Sequence, residues 1–144
     1  MQHIAIMKKE WGLVDKILKG EKILETRWYK SKYAPWDKIK KSDLIYFKNS
    51  GESVNVKAVV TKVKQSEIQK EKQRNDIIKK VWKDDLGKDG DKNILENYSK
   101  DKRFCIIIWF SKVQKIKPFN INKKGFGNMA SWICVEDVNK IKIL

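Results

Sequence analysis

Histidine is nearly missing from this chain. His3 stands alone, near one end, where a lone histidine is expected to be structural, and any metal site would have to be built from carboxylates. Cysteine is almost as scarce. Cys105 and Cys134 are isolated in apolar, strand-like runs with no CxxC spacing, which excludes a zinc site and a disulfide framework and leaves two reduced core residues. Arginine is rare too: Arg27, Arg74 and Arg103 are the only ones among 33 basic residues. Because arginine is the usual bidentate reader of phosphate and guanine edges, this argues against dense sequence-specific DNA readout. No long hydrophobic run is present either. The most prominent one includes 105–110, and the apolar start of residues 1–7 gives way to Lys8 and Lys9, both too short for a secretory core or a membrane span. A cytoplasmic protein with no membrane partner is the expectation.

What the chain has in excess is lysine. Against 18 acidic residues the net charge is +15, which favours a polyanionic partner, although lysine enrichment also arises from genome composition or heat adaptation. The 144 residues suffice for one buried core and are read as one domain, 1–144.

Periodicity lays out the elements. A short strand is expected at 3–7, then a helix at 10–19, where Trp11, Leu13, Val14, Ile17 and Leu18 recur at three- and four-residue steps. Gly20 sits where a helix stops, and 23–29 reads as a strand. A basic loop containing Pro35 covers 30–41. Strands at 43–48 and 53–64 are joined by the turn residues Asn49 to Glu52 and form a hairpin. Ser66 is expected to cap a helix reaching Trp82, and 83–92 to be a solvated loop whose aspartates, Asp84, Asp85, Asp89 and Asp91, lack the full calcium-loop pattern. A helical piece at 94–98, a central strand at 103–110 continuing to Pro118, a glycine-containing loop at 120–129 and a closing strand at 131–135 complete the order. Strands and helices without regular alternation predict an α+β fold on a small barrel.

Within this layout one stretch carries concentrated charge. Gly20 to Arg27 reads GxKxxExR and places Lys22, Glu25 and Arg27 at a helix–strand junction, as either a charged pocket or an ion-pair network. As a pocket, Lys22 and Arg27 would grip a phosphate or base edge and Glu25 would accept from an exocyclic amine. Two loops add candidates. In 28–38 aromatics interleave with lysines, and Tyr33 and Trp36 are the rings expected to stack on bases, unless the aromatics plug the barrel. In 123–132 Lys123 and Lys124 precede two glycines and Ser131. Lys8 and Lys9 complete the expected rim.

These residues together resemble the ASCH domain family of the PUA-like superfamily: GxKxxExR after a helix, the Pro35-Trp36 loop, Asp43 to Phe47, the Val-rich strand, the charged helix, Ile116 to Phe119 and the final Trp132 strand follow its order over nearly the whole chain. The resemblance implies a PUA-like mixed barrel of five to six strands flanked by two or more helices. It also implies RNA or a nucleotide-like small molecule as the partner; the scarcity of arginine leaves DNA less favoured, and with one histidine and an incomplete aspartate pattern no cofactor or metal is expected. Ser42 replaces a glycine common in the family. A branch that deacylates acetylated cytidine has a threonine nucleophile where this chain has Glu25, so that chemistry loses its hydroxyl. The alternatives are a small hydrolase on RNA phosphodiesters or a modified base, with Lys22 and Glu25 as acid and base, and a protein-interaction adaptor.

Overall fold

The computed structural model describes residues 1–127 and 129–143. Seven strands form one curled mixed sheet with three helices, an α+β half-barrel. The strands are β1 (Gln2–Met7), β2 (Leu24–Tyr29), β3 (Leu44–Asn49), β4 (Val54–Glu67), β5 (Phe104–Ile121), β6 (Trp132–Val135) and β7 (Lys142–Ile143). The path runs β2-β5-β4-β3-β1-β6, with β7 added beside β5. Among the described residues only β1 and β3 pair in parallel; the expected hairpin of β3 and β4 is present. The inward row of β4, Val54, Val56, Ala58 and Val60, is buried, as its alternation requires. β5, the most apolar strand, lies between β2 and β4.

Four boundaries differ from expectation, each for a local reason. The first helix is broken: Gly12 takes a left-handed conformation (φ 63°) between a 3-10 turn, Lys9–Trp11, and α1 (Leu13–Leu18). Gly20 is left-handed as expected (φ 75°). Ser66 does not cap a helix. The β4–β5 ladder continues to Glu67 opposite Phe104, so backbone pairing wins over the capping signal and α2 spans Glu71–Leu86. Pro118 does not end β5, because pairing resumes directly after it, Phe119 opposite Val54 of β4 and Asn120 and Ile121 opposite β7, while Pro118 itself stands opposite no partner in the register. Most consequential, the expected solvated loop begins with helix: Asp85 and Leu86 are the buried last turn of α2, and Asp91 caps α3 (Lys92–Ser99) by accepting from the Asn93 amide.

His3 is structural. Fully buried, it donates from Nε2 to the Asp43 carboxylate (2.9 Å) and accepts at Nδ1 from the Trp132 indole (3.1 Å). Burial holds its pKa below the ordinary value despite Asp43. Among the described residues no helix is long and apolar enough to cross a membrane, and no group of three or more His, Cys, Asp or Glu is placed to hold a metal ion.

Candidate functional site

β2 carries the motif, and the left-handed turn at Gly20 points it at the end of α2. The last four carbonyls of a helix lack partners within it. Here three consecutive ones are claimed from the motif side: Asp84 O accepts from the Ile23 amide (2.9 Å), Asp85 O from Lys22 Nζ (2.8 Å) and Leu86 O from Lys16 Nζ (2.6 Å). Two cations at a helix C-terminus also complement its dipole.

Lys22 is only 1 % exposed. Its ammonium donates to Leu24 O (2.7 Å) and Asp85 O and pairs with the carboxylates of Asp85 and Glu25, the latter at 2.9 Å. With acceptors for every proton, no N–H is left for a phosphate, so Lys22 stands beneath the cleft and not on its rim. Glu25 in turn meets Arg27, whose Nε donates to it at 2.8 Å. Arg27 then spans the gap between the two ends of the sheet path: it donates to Ser131 O (3.1 Å), just before β6, and to Ile6 O on β1 (3.3 Å), while its guanidinium lies 5.0 Å from the Trp132 ring centroid. A side chain closes the half-barrel where no backbone ladder does.

Two cations and two carboxylates make this network neutral, and their shifts follow from burial against pairing. Desolvation works against every charge. Lys22 is nonetheless raised by Asp85 and Glu25, and Glu25 lowered by Lys22 and Arg27. Asp85 goes the other way: burial, with Glu25 nearby, raises it despite Lys22 and Thr26. Thr26 Oγ1 donates to Asp85 Oδ2 (2.6 Å) and accepts from the Trp28 indole (3.0 Å).

Above the network lies a cleft of about 90 Å3. Its polar side is Glu25, Thr26, Arg27, Asp85 and Ser131; its aromatic side is Trp11 and Tyr98, packed edge to face at 5.8 Å. Exposed Lys8 stands over both rings, 4.9 and 5.0 Å from their centroids. The structure therefore gathers Lys8, Glu25, Arg27 and Ser131 around one cavity, with Lys22 below.

It does not gather the rest. Lys9 turns away to Glu52 (2.8 Å). Tyr33, 61 % exposed, lines a neighbouring depression with Tyr29, Phe126 and Trp132 that touches the cleft only through Ser131. Trp36 is half-buried against Phe104 (5.2 Å) and does not line the cleft, as Trp28 does from its buried position. Lys123 lies near Lys48, whose pKa falls through partial burial and this charge, and neither Lys123 nor Lys124 lines the cleft. Asn128 of that expected surface lies outside the described residues. The residues missed from sequence are Thr26, Asp85, Trp11 and Tyr98 in their site roles. A signal for Asp85 existed: it continues the buried stripe Ile78, Val81 at three- and four-residue steps.

The curled mixed sheet and the helices packed on it make a PUA-like α+β fold. Solved structures share this fold: ASCH from Zymomonas mobilis superposes with a TM-score of 0.67 at 15 % identity, over 94 % of this chain and 87 % of that one. Two single-residue variants of that protein, a tyrosine-to-phenylalanine and a serine-to-alanine, match with a TM-score of 0.65 at 15 % and 14 % identity, each over 96 % of this chain and 93 % and 91 % of theirs. The fold is that of ASCH proteins. No family model matches the chain, and no curated protein matches it.

Proposed function

We propose that this protein binds RNA or a nucleotide-like ligand at the cleft, with one planar base set against Trp11 and Tyr98. The observation that carries this reading is the meeting of two aromatic walls, a hydrogen-bonding floor and a cationic mouth at one cavity. Stacking on an aromatic side chain contributes about 1 to 3 kcal/mol per base. In this reading the base takes the place over the rings that Lys8 holds, and the freed ammonium meets the phosphate. Glu25 and Arg27 are fixed by each other and offer a polar edge of set orientation.

Titration of single-stranded RNA and of uridine monophosphate tests it. Lys8→Glu, on an exposed side chain, is expected to weaken binding about tenfold or more and to flatten its salt dependence, and Trp11→Ala to weaken it by a similar factor. Affinity indifferent to salt and to both substitutions would overturn the reading.

A second reading, hydrolysis of an acylated base, is favoured by one contact. The hydroxyl absent at Glu25 is supplied one residue later: Thr26 lines the cleft and already donates its proton toward Asp85, whose raised pKa suits a general base better than the lowered one of Glu25. Thr26 Oγ1 would attack the acyl carbonyl, its proton passing to Asp85; that proton would leave with the amine of the base, and water would then cleave the ester. With acetylated cytidine as substrate, turnover is expected to vanish in Thr26→Val and persist in Thr26→Ser. Absence of turnover in the unsubstituted protein leaves binding alone.

A further inference from the structure

On another face, between the β4–β5 ribbon and α2, runs a groove of about 570 Å3 that shares no residue with the cleft. Lys62 and Lys64 alternate along β4 and therefore share a face, opposite Trp109 and Ile107 on β5. Lys70, Lys72 and Lys80 line it from the α2 side, with Leu24, Ile77 and Val81 as its apolar floor. All five lysines are exposed. None has an ion-pair partner among the described residues. Two carboxylates, Asp76 and Asp84, also line the groove, so it is cationic by three charges. Trp109 is half-buried at its wall, with the Lys62 ammonium 4.8 Å from the ring centroid.

We propose that this groove holds a single strand of nucleic acid, its phosphates following the lysines and one base resting on Trp109. Lysines tracking a backbone beside an aromatic platform are how single strands are commonly held without sequence preference, which agrees with the scarcity of arginine. A concave channel does not match a planar lipid surface. An acidic peptide would satisfy the lysines but leaves Trp109 without a stacking partner, and Asp76 and Asp84 can accept from base amines. The proposal goes beyond the cleft: one site takes a base, the other a strand.

The test uses the whole chain and a labelled oligouridylate of about twelve nucleotides, within the span that single-strand modules cover, alongside uridine monophosphate. Lys62→Glu/Lys64→Glu is expected to weaken oligonucleotide binding about tenfold or more and to lower its salt slope by about 1.4, roughly 0.7 for each phosphate no longer neutralised. Monophosphate binding should not change. Trp109→Phe should remove part of the tryptophan quenching that the oligonucleotide produces. Oligonucleotide affinity unchanged in the double variant overturns the groove, whatever the cleft does, and so does polyglutamate competing as well as the oligonucleotide. Weakened oligonucleotide binding in the double variant, with monophosphate binding indifferent to salt, to Lys8→Glu and to Trp11→Ala, supports the groove and removes the cleft reading instead.

Discussion

Lys22→Met should lower stability by about 3 to 5 kcal/mol, the usual cost of removing one partner from a buried ion pair. For a chain of this size that is a fall in Tm of roughly 10 °C or more. The cause is not missing attraction alone. With the ammonium gone, Asp85 and Glu25 face each other across a dry space, and Asp85 O and Leu24 O are deprived of a donor. Lys22→Met/Asp85→Leu should recover much of the stability, because Glu25 and Arg27 then remain as a neutral pair and an apolar contact replaces a stranded charge. Urea unfolding of both single variants and the double measures this directly. Lys22→Met matching the unsubstituted protein to within about 1 kcal/mol, the scale of an exposed pair, would contradict the buried network. For the same reason Lys22 is a poor probe of ligand binding: weak binding by its variants would report unfolding as readily as a missing hydrogen bond to the ligand.

Glu25→Gln is expected to show the second large effect, and this one depends on pH. Glu25 is lowered in the folded protein, so its stabilisation is fully present above the unfolded value near 4.5 and is lost as pH falls through the lower folded value. At neutral pH the glutamine leaves Lys22 with Asp85 as its one carboxylate and Arg27 with its backbone acceptors alone, and the cost should approach that of breaking a buried pair, about 3 kcal/mol. As the pH falls and the native glutamate itself takes up a proton, the difference between the two proteins should shrink. Chemical unfolding between neutral pH and about pH 3, below the reference carboxylate range, checks it. A gap of constant size across that range would show that the interaction removed is steric and not ionic.

Much of the fold was legible because local rules decided it. The β3–β4 hairpin follows from alternation and a run of turn residues, and Gly20 from a helix that had to stop. The errors share a cause: β4 overran Ser66, and β5 overran Pro118, because long-range strand pairing outweighed a local capping or breaking signal. The site was half legible. Lys22, Glu25 and Arg27 are adjacent in sequence and could be named together. An ion-pair network was one of the two readings of the motif, but its closure into a neutral, internally satisfied unit could not be read, since Asp85 comes from a helix assigned as loop and the Arg27 acceptors, Ser131 O and Ile6 O, are backbone atoms with no sequence signature. Lysine-rich composition pointed outward to ligands, while the motif lysine itself turned inward.

The separation of 63 positions between Lys22 and Asp85 bears on how the chain comes off the ribosome. The whole GxKxxExR motif is translated well before its acidic counterpart exists, and contacts at such separation form late because the loop must close first. A nascent chain reaching only to β4 holds the complete motif and no site. The lysine stays hydrated until α2 arrives with three open carbonyls and an aspartate, so the docking of that helix is the event that turns a solvated charge cluster into the floor of a cleft.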